Sequence, residues 1–285
     1  MAAARKKSGA TAKKKASIPR VITGKSKSDN PNRPFADIIK PAAGKKLVLH
    51  VGCSTYNPMK LHESFRTPEW HELRLDIDAS VNPDIVADMT DLSMIPDHSV
   101  DAIWSSHNVE HLYPHVVPVA LAEFFRIIKP MGHFLVTLPD IETVAGYVAR
   151  GMLEDPIYDS PAGPICAIDI LYGHRASMQR GNLFMAHKTA FTAKTLGLHL
   201  RDAGFCNILV TRTGYDLWAK AFKLPIDHPQ RAEKVTVNNN DEQRLNTLPP
   251  VTPLARTPHP GFIRQGLPTD ELNIPPKIQQ TLGLK

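Results

Sequence analysis

The chain has 285 residues, 42% of them hydrophobic and 22% charged, with a formal net charge of +6. That length holds one large domain or two small ones, and no apolar run approaches a membrane span. The positive excess is local: residues 1–34 hold ten Lys/Arg against Asp29 alone, whereas residues 35–224 hold 17 basic and 21 acidic residues. A polynucleotide enzyme carries its basic patch on the folded domain, so a mildly acidic body argues against a specific nucleic-acid partner. Cys53, Cys166 and Cys206 lack zinc-ligand or redox spacing, which fits a reducing, cytoplasmic setting.

Residues 1–34 are rich in Lys, Ala and Ser and contain no aromatic residue, a composition that cannot offset ordering entropy. They read as a disordered basic tail, either merely solubilising or touching acidic surfaces. They lack the apolar core of a secretory signal. A buried strand is expected at 47–51, running into the turn Gly52-Cys53-Ser54. A short helix is expected at 58–65, then a strand at 72–76 closing on Asp76, and a third strand-like run at 81–87 closing on Asp88-Met89. A compact fourth strand spans 100–104. Leu121, Phe124, Phe125 and Ile128 recur at helical spacing until Pro130 and Gly132 stop them. A fifth strand at 133–138 ends at Pro139, and Ile141, Val144 and Val148 form the stripe of the next helix.

Residues 151–190 break the alternation and read as an insertion over a ligand crevice. Thr192 caps a helix that stops at Ala203-Gly204. Strands at 207–212 and 216–222, joined by Thr213-Gly214-Tyr215, must pair antiparallel. From 227 onward prolines and the Asn238-Asn239-Asn240 tract predict a mostly disordered tail, leaving a folded domain at 35–226. Alternating strands and helices that end in a hairpin indicate an α/β sheet, mostly parallel with one reversed strand. A glycine after the first strand and an acid after the second suit an adenosine ligand: Gly52 lets the backbone approach, and Asp76 takes the ribose hydroxyls.

Taken in order, several segments resemble class I S-adenosylmethionine-dependent methyltransferases. Val51-Gly52-Cys53-Ser54 stands at the glycine-rich first loop, Leu75-Asp76-Ile77-Asp78 at the second-strand acid, and Val86-Ala87-Asp88-Met89 at the third. The run 100–111 resembles the fourth strand and the helix start after it, and 126–132 the turn before the fifth. Tyr172-Gly173-His174-Arg175 and Met185-Ala186-His187-Lys188-Thr189 are similar to a group of small bacterial-type predicted methyltransferases. The resemblance implies a Rossmann-like, seven-stranded, mostly parallel sheet with one antiparallel strand and helices on both faces. It also implies S-adenosyl-L-methionine as cofactor, held by Gly52, Cys53, Asp76, Asp88, Met89 and Ser105. The first loop departs from the family in having Ser54 where a second glycine is common, and Met131 replaces a glycine before the fifth strand.

The expected chemistry is in-line methyl transfer to a small-molecule or glycan-linked acceptor. His107, just past the fourth strand, is the candidate base, with loop ordering as its alternative role. Asp76 and Asp88 have a bland alternative as helix caps. His174 and His187 either join an acceptor pocket or tie loops together. His107-Asn108-Val109-Glu110-His111 spells an inverted zinc-protease signature, but a protease leaves the sheet and the adenosine acids unexplained, so no metal is expected, the alternative being a metal held here to help position an acceptor. A methyltransferase fold without catalysis, acting as a binding module, is the second reading.

Overall fold

The structure is a computed structural model that describes residues 44–160 and 162–238. These belong to the first of the two units into which the chain divides, Met1–Asn246 and Thr247–Lys285. The expectations of disorder for 1–34 and for the chain beyond 238 lie outside the described residues. Among the described residues no helix is long and apolar enough to cross a membrane.

Strand β1 (Lys46–Val51) is buried from Leu47 onward, as expected of a central parallel strand covered on both faces. It pairs in parallel with β2 (Trp70–Asp76) on one side and β4 (Val100–Ser106) on the other, while β3 (Ile85–Val86) extends β2. Because the chain leaves β1 in one direction and returns to its other side as β4, the crevice beyond the carboxyl ends of β1 and β4 is the ligand position of such a sheet. Beyond β4 lies β5 (Ile128–Pro139), followed by β9 (Asp216–Phe222), antiparallel to both β5 and β8 (Cys206–Thr213). Strands β6 (Pro156–Ser160) and β7 (Gly163–Cys166) form a separate hairpin.

One sheet face, with Leu47, Leu49, Val51, Ile103, Phe134 and Val136, forms the main core with helices α1 (Val117–Ile127) and α5 (Ala193–Asp202). On the opposite face Val48, Ala102 and Trp104 pack on Leu61 and Phe65. The expected helix at 58–65 is instead two 3-10 turns, Pro58–Lys60 and Glu63–Phe65, capped by the side chains of Asn57 and His62. Helix α2 (Ile141–Ala149) follows β5, and the insertion adds α3 (Ala167–Tyr172) and α4 (Arg175–Gln179). Thr192 caps α5 as expected, in a reciprocal capping box with Thr195.

Strand β5 begins earlier than expected, at Ile128, and Met131 takes a left-handed φ of 71° within it. Its N–H donates to the Lys223 carbonyl at 2.8 Å, so the bulge is pinned by the end of β9. The Lys223 ammonium, itself buried, donates to the carbonyls of Phe125 (2.6 Å) and Arg126 (3.2 Å). A cation on the last carbonyls of α1 complements the helix dipole.

Two expectations need correction. The sheet has eight strands, in the order β10-β8-β9-β5-β4-β1-β2-β3, because β10 (Val235–Asn238) adds in parallel to β8. The domain therefore does not end at 226. Asn207 exchanges backbone and side-chain bonds with Ala232 and Gln230, and a side chain at Gly197 of α5 would overlap Val235. A four-residue strand whose partner lies some distance back in the chain leaves little periodic signal.

His133 on β5 is half-buried among Phe65 (5.7 Å, stacked), Trp70 and Phe222. Burial, with Lys220 and Lys46 nearby, lowers its pKa from 6.5 to about 4. Between those values the unfolded chain binds a proton that the folded chain refuses, so stability is full above the unfolded value and lost as pH falls toward the folded one. The thermal midpoint should therefore drop between about pH 7 and about pH 5, and His133→Phe should flatten that drop. An equal drop in the variant, measured by circular dichroism, would refute the assignment.

Candidate active site

The first loop begins at Gly52, whose φ is 67° and whose N–H donates to the Leu75 carbonyl at 2.8 Å. A Cβ here would overlap the side-chain amide of Asn108. That amide nitrogen donates to the carbonyls of Val51 (3.0 Å) and Ser106 (2.8 Å), tying the ends of β1 and β4 together. Ser54 adopts a φ of 53°, taking up the left-handed position that a second glycine would fill. Its N–H donates to Asp76 Oδ2 at 2.8 Å, and Asp78 N–H donates to Asp76 Oδ1 at 3.0 Å. Arg74 holds the Ser54 carbonyl through Nη2 and lies 5.5 Å from the Tyr56 ring centre. A loop with one glycine is thus held by a carboxylate and a guanidinium.

Around this turn opens a cavity of about 910 Å³ whose lining includes Gly52, Ser54, Asp76, Asp88, Met89 and His107. Aromatic and sulfur side chains from Trp104, Trp218, Met59, Phe184 and Met185 supply its apolar wall. Each Asp76 oxygen already accepts one backbone bond, yet an ionised carboxylate offers about four acceptor positions, so capacity remains. Asp88 is exposed and closes a local turn, accepting from Thr90 N–H (2.9 Å) and Thr90 Oγ1 (2.8 Å).

Cys53 and Ser105 do not line the cavity, which corrects the expectation for both. Cys53 is 1% exposed, and burial pushes its thiol up to about 11. Ser105 is fully buried. Side chains alternate along β4, so Trp104 and Ser106 share the cavity side and Ser105 turns to the core. Sequence reasoning placed the right strand end one residue out of phase.

His107 follows β4 with a φ of 54°, and its N–H donates to the Thr137 carbonyl at 2.9 Å. Its side chain is 44% exposed, with Nδ1 3.4 Å from Glu110 Oε1 and Nε2 3.7 Å from Asp216 Oδ2. Burial depresses its pKa, but the Glu110 and Asp216 carboxylates outweigh that effect and raise it. Glu110 is only 1% exposed; burial favours its neutral form, and His107 and His111 overcome this and lower its pKa. Burial raises the pKa of Asp216.

The H-x-x-E-H run does not form the pairing its spacing suggests. Val109–His111 is a 3-10 turn, and the side chains that converge are Glu110, His111 and His187 from the insertion, while His107 faces Asp216. His174 bonds Ser177 at 2.8 Å within its own turn. Asn108, Ser106, Asp216 and Trp218 were missed by sequence reasoning. Ser106 and Asn108 lie inside the 100–111 run, whereas Asp216 and Trp218 sit in a strand with no site signal of its own.

Residues 49–136, from β1 to the middle of β5, match a family model described as a methyltransferase domain. Gly52, Asp76, Asp88, Met89 and His107 all fall within that span. Among solved structures the chain is similar to a SAM-dependent methyltransferase from Archaeoglobus fulgidus, at 14% identity and TM-score 0.44, covering 62% of this chain and 86% of that one. A protein from Pyrococcus horikoshii OT3 is similar at 16% identity and TM-score 0.45, with 63% and 82% covered. A third is the Burkholderia thailandensis 1,6-didemethyltoxoflavin-N1-methyltransferase with bound 1,6-didemethyltoxoflavin and S-adenosylhomocysteine, at 16% identity, TM-score 0.42, and 64% and 73% covered. No curated protein matches the chain.

Asn108→Ala should free two carbonyls at the joint between β1 and β4 and destabilise the fold by about 1–3 kcal/mol. Thermal unfolding checks this, and a midpoint unchanged from the parent protein would show that the amide does not hold the joint.

Proposed function

We propose that this chain, which carries a class I S-adenosylmethionine-dependent methyltransferase domain, moves a methyl group onto a small-molecule or glycan-linked acceptor in the cavity beyond β1 and β4. The observation that carries this reading is the gathering of Gly52, Asp76, Asp88 and Met89 around one cavity at the point where strand order reverses. Its volume of about 910 Å³ lies near the upper end of the ~300–1,000 Å³ usual for one ligand, which leaves room for an acceptor beside the cofactor.

The residues present fit the cofactor. Asp76 would accept from the ribose hydroxyls on the acceptor positions that the loop leaves unused. Asp88 would accept from the adenine amine, and Met89 would pack on the ring. Gly52 presents bare backbone where a Cβ would already collide with Asn108. When bound, S-adenosylmethionine supplies an electrophilic methyl carbon on a sulfonium that departs as a neutral thioether. The protein's part is then largely alignment. His107 would take the proton that an oxygen or nitrogen acceptor loses as its lone pair bonds the methyl carbon, and the nearby Glu110 and Asp216 carboxylates would stabilise its cationic form. Tyr56 in the first loop is 69% exposed and does not line the cavity, whereas Ser54 lines it and reaches its place by a left-handed turn.

S-adenosylhomocysteine should bind the full chain with micromolar affinity in calorimetry. Asp76→Ala should weaken binding by about tenfold or more, as loss of hydrogen bonds to a charged group does. A folded parent protein that gives no heat, or a folded variant that binds equally well, overturns the cofactor assignment. His107→Gln should lower kcat by about 10²–10⁴ once an acceptor is found, while S-adenosylhomocysteine affinity is unchanged. Equal turnover in that variant would remove His107 from the chemistry.

A further inference from the structure

Glu110 has no hydrogen-bond partner on either carboxylate oxygen among the described residues, although it is almost completely buried. His107 Nδ1 approaches Oε1 at 3.4 Å but without hydrogen-bond alignment. A buried carboxylate with no donor is costly, and native structures rarely leave one without a reason. Beside it stand His111 and His187, their ring centres 4.9 Å apart and near perpendicular. His111 Nδ1 lies 3.0 Å from the Ala186 carbonyl and His187 Nδ1 2.7 Å from the Ile170 carbonyl. A carbonyl can only accept, so each Nδ1 carries the proton and each Nε2 is left with a lone pair. One ligand atom from each of the three residues converges on a common point, all within 4.8 Å of one another.

We propose that Glu110, His111 and His187 form a binding site for a divalent transition-metal ion of the zinc class. The donor set is two imidazoles and one carboxylate, the three-ligand set of metal centres that keep a position open. Ring protons held by backbone carbonyls are the second shell that orients metal-bound histidines. Bonds of about 2.0–2.2 Å need ligand atoms about 3.3 Å apart, so the widest separation closes by about 1.5 Å on binding. The framework is already in place: Lys188 and Thr189 donate their N–H groups to the Glu110 carbonyl, and His187 donates its own to the Tyr172 carbonyl. The insertion is thereby docked against the turn after β4, with His187 opposite His111.

His111 also lines the cavity, so the open position of the ion faces the space assigned above to the acceptor. An ion there would bind an acceptor hydroxyl oxygen and lower its pKa, easing transfer of its proton to His107 as the oxygen lone pair bonds the methyl carbon. This last step rests on the methyl-transfer reading, whereas metal binding does not. The acceptor class it selects is an alcohol, phenol or sugar hydroxyl.

The full chain, stripped with chelator and dialysed against zinc, should retain about one zinc per chain by elemental analysis. Cobalt(II) in its place should give the intense visible bands of four- or five-coordinate geometry. His187→Ala and Glu110→Gln, with folding checked by circular dichroism, should each lose at least about tenfold in zinc affinity. Asp76→Ala, outside the cluster, should retain zinc while losing S-adenosylhomocysteine, so the two assignments fail separately. A folded parent chain that retains no zinc overturns the site. So does cobalt that stays octahedral, or zinc binding unchanged in both cluster variants; the cobalt spectrum needs no variant to fold.

Discussion

The close approach of Gly52 to Asn108 is the contact on which the rest of the site depends. It joins the two strand ends that flank the switch in sheet order, and it admits no side chain on the glycine. From it follow the direction of the first loop, the left-handed turn at Ser54 and the distance at which Asp76 can reach back to that loop. A core of close-packed parallel strands would fix the sheet without this contact, but not the shape of its rim.

The carboxylates around the crevice are used in different ways. Asp76 is spent partly on backbone N–H groups and keeps some acceptor capacity. Asp88 makes a local turn and stays exposed. The Glu110 carboxylate is buried with no donor among the described residues, and Asp216 faces His107 across the opening. The environment, more than residue type, separates a group suited to hydroxyl recognition from one suited to holding a cation.

Much of this architecture was legible because its signals are local. The buried run at β1, the Thr192 cap and the hairpin of β8 and β9 each announce themselves within a single short stretch of chain. The methyltransferase resemblance likewise rested on motif order. The features that escaped were set by distant partners or by phase. Residues 58–65 are too short to sustain a helix by themselves, and they settle into 3-10 turns beneath Trp104 because Leu61 and Phe65 have a sheet to cover. The choice between Ser105 and Ser106 turns on one residue of alternation, which composition cannot fix. His187 could be seen as a histidine in an insertion, but its meeting with Glu110 depends on backbone bonds that no spacing encodes.

The position of β9 has a consequence for the order of assembly. It lies between β5 and β8, yet it leaves the ribosome after both, and Lys223 at its end supplies the cation that closes α1. Until residues 216–222 emerge, β5 presents an unpaired edge and the last turn of α1 keeps open carbonyls. The nascent domain must wait half-closed for its reversed strand, a non-local step of the slow kind.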